Sequence, residues 1–182
     1  MRHLGSIAIV FLAAAGFTSF SSARAPALLP GPGAVIAMHE SLFRAIDAGK
    51  VEEALPFLHD DMNMGENYRA RPCSLFLCDQ QGQPLTARNH EQSAKLLKDW
   101  TLASAGDGKW TTTVTPIGAD CFSAELSYAV LEITRTRTVD GKTTTRRYHS
   151  TSLVTYGKDG WQLTHWHLSP AEAGAAGATV VR

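Results

Sequence analysis

The chain has no excess of charge of either sign: seventeen Lys and Arg stand against seventeen Asp and Glu. A balanced chain generates no net field to recruit nucleic acid or anionic lipid, and Arg146-Arg147 is too short to form a basic patch, so nucleic acid is set aside as a partner. Cysteine is scarce, three in 182 residues, and lacks the repeated Cys-x-x-Cys spacing of structural zinc modules. There is no nucleotide-binding glycine loop, no Gly-x-Ser-x-Gly elbow and no Cys-His pair at a recognised spacing. Nothing in the motifs therefore argues for a cofactor or an acyl-enzyme.

The apolar run from Ile7 to Phe17 falls short of the ~20 residues that span a bilayer. Preceded by Arg2 and His3 and followed by small residues, it makes residues 1–25 a secretory signal peptide, with cleavage favoured after Ala23 because Pro26 is a poor residue to follow a cut. No cysteine follows to carry a lipid, so the expectation is a soluble product in the periplasm or outside the cell, with no membrane contact after cleavage. In that oxidising setting Cys73 and Cys78 are the expected disulfide pair, closing a small loop and leaving Cys121 over.

What is present suits one domain with a real core, since 44% of residues are hydrophobic and only 19% charged. Residues 26–33, "PALLPGPG", read as an extended leader. In 34–48, "AVIAMHESLFRAIDA", Ile36, Leu42, Phe43 and Ile46 recur at helical spacing and Gly49 stops the run. A short second helix is expected over 51–58, with Pro56 an awkward fit, and residues 62–64 open a short strand. Residues 65–85 show no period and read as a long loop or insertion pinned by the cysteines. Asn89 and Gln92 form a capping-box pattern before a third helix with Ala94, Leu97, Trp100 and Ala103 in line.

After Gly106 the composition turns to Thr, Val, Tyr and Trp in four segments, "KWTTTVTPI", "CFSAELSYAVLEITRTRTV", "KTTTRRYHSTSLVTY" and "WQLTHWHLS". These predict four strands. Asp140-Gly141 and Asp159-Gly160 are hairpin signals, so the last three strands form an antiparallel meander, and the Ala/Gly-rich residues 171–182 are a flexible tail. The fold class is α+β: N-terminal helices packed on one face of a strongly curved antiparallel sheet, which leaves a cavity where the helices stop.

This order, with the opening "AVIAMHESLFRAIDAGKVEEALPFLHDDMNM" and the closing "DGWQLTHWHLS", resembles the NTF2-like superfamily and specifically its SnoaL-like members. The resemblance covers residues 34–170 and implies a cone-shaped domain that binds a small organic, apolar or aromatic molecule and pairs into a homodimer through the sheet. One scaffold of this kind hosts isomerases, dehydratases and other lyases as well as non-catalytic binders. The expectation is therefore a cofactor-independent lyase, dehydratase or isomerase, or alternatively a periplasmic binding or dimerisation module.

His165 and His167 are the central candidates. In a regular strand they share a face with Trp161, Leu163 and Ser169, which in the resembled family leads from the core into the cavity. Three roles compete for them: metal ligands, acid/base groups, or packing. Asp61, after the second helix, is expected to orient the catalytic histidine together with Tyr128 or Ser152, and Trp100 joins the substrate-binding set. A two-residue turn at Asp140-Gly141 makes paired residue numbers sum to 281, setting Glu132 by Tyr148 and His149 and placing Tyr128, Val130, Glu132, His149 and Leu153 on one face, with Leu131, Ile133, Tyr148, Ser150 and Val154 on the other. Glu132 with His149 is thus a second candidate dyad, against the reading of an exposed cross-strand pair. At Asp159-Gly160 a two-residue turn opposes Val154 to His165 and Ser152 to His167, whereas a three-residue turn brings His149 beside His167.

Overall fold

The computed structural model describes residues 31–59, 73–79, 82–106, 108–157 and 159–171. Helix α1 spans Pro32–Asp47, with Pro32 in its first turn, where its missing N–H costs nothing. Gly49 ends it in the left-handed region at φ 68°. A Cβ there would stand 2.7 Å from the Cβ of Ala105, so glycine is required both for the turn and for the close approach of the chain at Ala105. The second helix is shorter than the expected 51–58. Helix α2 covers Val51–Ala54 and tightens into a 3-10 turn, Leu55–Phe57, because the Pro56 ring and its absent N–H cannot continue an α-helical ladder.

The segment 65–85, read from sequence as irregular, contains one strand and the start of a second among its described residues. These are β1, Ser74–Cys78, and β2, Pro84–Ala87, an antiparallel pair. Cys73 and Cys78 consequently sit at the two ends of one extended stretch, roughly 16 Å apart at ~3.3 Å per residue. A disulfide needs Cα atoms within about 7 Å, so the expected bridge does not form. Both thiols are instead buried, with Cys73 Sγ donating to the Leu163 carbonyl at 3.3 Å. Helix α3, His90–Gly106, starts as anticipated: Asn89 Oδ1 accepts the Gln92 N–H at 2.9 Å and Gln92 Oε1 accepts the Arg88 N–H at 3.1 Å.

Strands β3, Trp110–Cys121, β4, Leu126–Val139, β5, Lys142–Gly157, and β6, Gly160–Pro170, complete a six-stranded sheet in the order β2-β1-β6-β5-β4-β3. All neighbours run antiparallel except β1 and β6, which are parallel. Asp140 at φ 51° and Gly141 at φ 74° make the two-residue turn that the right-handed twist of a hairpin favours. The register is the anticipated one, with Glu132 directly opposite His149 and Ile133 opposite Tyr148. Along β4 the burial alternates, Ala129, Leu131, Ile133 and Arg135 pointing toward the helices.

The concave side of this sheet is filled by the helices. Trp166 is wholly buried and meets Phe43 of α1 edge-on at 5.6 Å and Trp100 of α3 at 6.0 Å. Such pairs contribute about 0.5–1.5 kcal/mol each beyond their buried area. Beyond this aromatic layer Arg135 ties four elements together. From β4 its guanidinium donates to Asp47 of α1 at 2.8 Å, Ser104 of α3 at 3.3 Å and, through Nε, Thr112 of β3 at 3.2 Å. Both charges are removed from water, Arg135 at 4% and Asp47 at 12% side-chain exposure.

Removing one partner of such a pair strands a charge in the interior, which costs about 3–5 kcal/mol. Asp47→Ala is accordingly expected to lower the unfolding free energy by that amount in urea titration. The double variant Asp47→Ala/Arg135→Met should recover a large part of the loss. Equal stability of Asp47→Ala and the parent chain would show that the pair is not what joins α1 to the sheet.

Candidate functional site

Strand β6 does not alternate regularly. Gly157 pairs with Gly160, so the turn falls one residue earlier than Asp159-Gly160, and the pairing runs Tyr156 to Trp161 and Val154 to Leu163. The next pair is Leu153 with His165, which leaves Thr164 as an extra residue in β6. This is a β-bulge, and it inverts the side-chain alternation beyond it. Thr164 Oγ1 closes it by donating to the Leu153 carbonyl at 3.1 Å. Trp161 and Leu163 face the helices before the bulge, Trp166 and Leu168 after it.

His165 and His167 therefore lie on the convex face, and the expectation that they continue the line of Trp161 and Leu163 into a cavity is corrected. Neither anticipated register holds either, since Ser152 opposes Trp166 and Thr151 opposes His167. His165 is half-buried, with Nδ1 2.9 Å from Ser74 Oγ and its ring 5.4 Å from Phe76. Burial, with His167 adding like charge, lowers its pKa. His167 is exposed.

The remaining sequence candidates divide between the two faces. Glu132 and His149 are directly paired on the convex side, half-buried and exposed, in the geometry of a surface cross-strand pair. Tyr128 shares that face, its ring 5.1 Å from Phe122. Ser152 and Trp100 lie on the concave side, where Trp100 Nε1 donates to the Cys78 carbonyl at 3.1 Å. Asp61 lies outside the described residues.

Under the helices the imidazole position is taken by His39 of α1. It is fully buried, with Nε2 2.8 Å from Ser152 Oγ, while Ser150 Oγ next along β5 accepts from Trp166 Nε1 at 2.9 Å. Nδ1 of His39 has no partner among the described residues. Desolvation lowers its pKa from 6.5 to about 4, so the ring is neutral in the folded protein near pH 7. A signal for this residue exists in the sequence: Val35, His39, Leu42 and Ile46 follow the i, i+4, i+7, i+11 spacing of one helical face.

At the wide end of the concave face the lining turns cationic. Arg135 and Arg146 are directly opposed across β4 and β5, and Arg137 faces Trp110 across β3 and β4. Their guanidinium carbons lie 5.0, 5.4 and 4.8 Å from the Trp110 ring, the range of cation–π contact. Tyr148, two residues along from Arg146, is buried, and its pKa is raised by burial against the opposing hydrogen bond from Arg146. Cys78 is likewise pushed up to about 11, mainly by burial and then by Asp79. Both groups stay protonated and neutral near pH 7. A groove of about 570 Å³ between α1 and β3 shares Asp47 and Trp110 with this cluster. The Thr/Arg alternation of "ITRTRTV" looks like an exposed edge, but the hairpin register places its arginines on the buried side of Leu131 and Ile133.

No family model and no curated protein matches the chain. Solved structures do. A protein of the NTF2-like family from Streptomyces avermitilis, described as a dehydratase, superposes with a TM-score of 0.60 at 14% identity over 78% of this chain and 96% of its own. A ketosteroid isomerase-like protein from Erwinia carotovora atroseptica gives 0.51 at 15% identity, over 76% and 95%. The S. rosetta CaMKII hub gives 0.54 at 18% identity, over 81% and 100%. The chain has the NTF2-like fold, an α+β cone with helices on a curved sheet.

His39 imposes a direction on the pH dependence. Its folded pKa of about 4 lies below the unfolded 6.5, so the unfolded chain takes up a proton that the folded chain refuses. Stability is full above pH 6.5 and declines as pH falls toward 4, by up to about 3 kcal/mol from this group. Urea unfolding between pH 7 and 4 should show that decline, and His39→Gln should flatten it. An equal slope in the variant would assign the effect elsewhere.

Proposed function

We propose that the chain is exported on residues 1–25 and that the mature domain binds a small, planar organic molecule at the wide end of its concave face. The observation that carries this reading is the change of lining there. The helices and the Trp166, Phe43 and Trp100 layer fill the middle of the cone, whereas Trp110, packed against three guanidiniums, borders a 570 Å³ groove that Glu40, Arg44 and Lys109 also line. Convergent polar groups around an aromatic lining are the usual makings of a small-molecule site. The neighbours described as a dehydratase and as ketosteroid isomerase-like support a cone that handles organic ligands. Binding is favoured over acid/base catalysis by the strand histidines, because His165 and His167 stand on the opposite face and His39 is locked in the core. Where turnover occurs, it is cofactor-independent proton transfer at this same end.

A second reading concerns the convex face, where a stripe crosses the sheet from Phe76 to His165, Leu153, Tyr128 and Phe122. Phe122 is 65% and Leu153 38% exposed, so the stripe offers apolar area for a second copy. The mature domain is expected to be a homodimer through this face. Light scattering should give the mass of two chains for the parent and of one for Leu153→Arg, and a monomeric parent at tens of micromolar would end this reading.

For the ligand, residues 26–182 screened by thermal shift against neutral and charged aromatic compounds should yield binders that raise Tm and change tryptophan fluorescence. A panel that shifts nothing would argue against a small-molecule site. Export is read separately, by fusing residues 1–25 to a reporter active only after translocation.

A further inference from the structure

Resting on the reading of the convex face as the meeting place of two copies, we infer that this interface closes only while His149, His165 and His167 are uncharged, so that mild acid separates the copies. Strands β1, β6, β5, β4 and β3 stand side by side, which makes the face ~24 Å wide, and residues 147–155 of β5 make it ~30 Å long. That is roughly 700 Å² on each copy, close to the ~800 Å² that each partner of a stable complex buries. Strand β5 is central among the five and carries His149, Thr151 and Leu153 on this side, while β6 beside it adds His165 and His167. A two-fold interface sets a patch against its own copy, so its centre gathers these three imidazoles from both chains.

The groups around these rings decide the sign of the effect. From β1 the neighbours are Ser74, 2.9 Å from His165 Nδ1, and Phe76, whose ring lies 5.4 Å from that of His165. From β5, Leu153 opposes His165 and Thr151 opposes His167. Neither strand offers the two β6 histidines a carboxylate. On β4 Glu132 stands opposite His149, and on β3 Asp120 stands opposite Tyr128, three strands or ~14 Å from His165. Arg147, one pleat beyond His149 on the same face, adds a fixed positive charge, and His59 at the narrow end is buried against Thr155. Among these residues the two carboxylates balance Arg147 while the rings are neutral, but not Arg147 and three imidazolium ions. Protonation then sets like charges against each other where water is excluded and repulsion is strong. Burial already lowers the pKa of His165, with His167 adding like charge, and a second copy removes more water from that ring. A base whose pKa falls on association holds fewer protons in the dimer, so the dimer is favoured above the titration range of the free chain and lost as pH falls through it.

The test is analytical sedimentation of residues 26–182 at pH 7.5 and 5.5, with circular dichroism at both to read the folded state. The dimer dissociation constant is expected to rise tenfold or more at the lower pH. Added sodium chloride should recover a large part of that loss, because it screens like charges. His149→Gln/His167→Gln, at two exposed positions, should change less than threefold between the two pH values. His90→Gln, at the start of α3, should respond as the parent does. Should the double variant lose its fold, His167→Gln alone takes its place, with a response clearly smaller than the parent's. A dimer equally strong at both pH values, or tighter in acid, would overturn the switch and leave the interface standing. Dissociation that salt and the double variant leave unchanged, or that comes with loss of circular dichroism, would overturn it too and assign the acid effect to the fold. A parent chain monomeric at pH 7.5 would remove the interface and the switch together.

Discussion

The arrangement of this domain depends on one buried ion pair, Arg135 with Asp47. A curved sheet and its helices are held mainly by non-directional apolar contact, which fixes that they pack but not at what offset. The guanidinium supplies direction, because its donors must each meet an oxygen when water is excluded. By drawing on Asp47, Ser104 and Thr112 at once it sets α1, α3 and β3 against β4. It also holds Trp110 and Trp100 on its two sides, at 5.0 and 5.1 Å. The boundary between packed core and polar mouth is drawn at this residue.

A single extra residue in β6 decides the other half of the functional geometry. The Thr164 bulge lets Trp161 and Leu163 pack near the 3-10 turn, where Leu58 bridges to Leu163, and still lets Trp166 and Leu168 enter the core further along. Without it, one of these pairs would have to face solvent. The bulge thus buries four large side chains on a strand whose pattern otherwise alternates, and in doing so it places the two imidazoles on the convex side. Their neighbours there, Ser74, Phe76, Thr151 and Leu153, make a surface, not a cavity wall.

The two faces of the sheet consequently carry different chemistry. The concave side grades from the His39 and Ser152 pair, through the aromatic layer of Trp166, Phe43 and Trp100, to guanidiniums and a phenol at the wide end. The convex side carries an aliphatic and aromatic stripe flanked by histidines, threonines and Glu132. This division follows from strand parity, so each residue between Leu126 and Gly157 was assigned its face once the Asp140-Gly141 turn was fixed.

Much of this was legible in the residues themselves. Helical spacing found α1 and α3, the Asn89 and Gln92 pattern found a cap, and the β-rich composition after Gly106 with an Asp-Gly turn found the meander and the β4 to β5 register. These are local signals, set by steric and hydrogen-bonding preferences within a few residues. Strand β1 escaped because five residues, "SLFLC", become a strand by pairing with β6 from ninety residues away. The roles of His165 and His167 escaped because a bulge leaves no mark in a window of sequence; it is the solution to packing Trp161 and Trp166 against the same helices. The arginine cluster was half legible, its shared face given by the turn, its convergence on Trp110 given only by β3. The sequence by itself determined which elements form and which residues alternate, since those follow from the chain's own stereochemistry. Which side of the sheet each histidine and arginine occupies was decided by long-range packing, where the burial of large apolar side chains outweighs the regularity of any one strand.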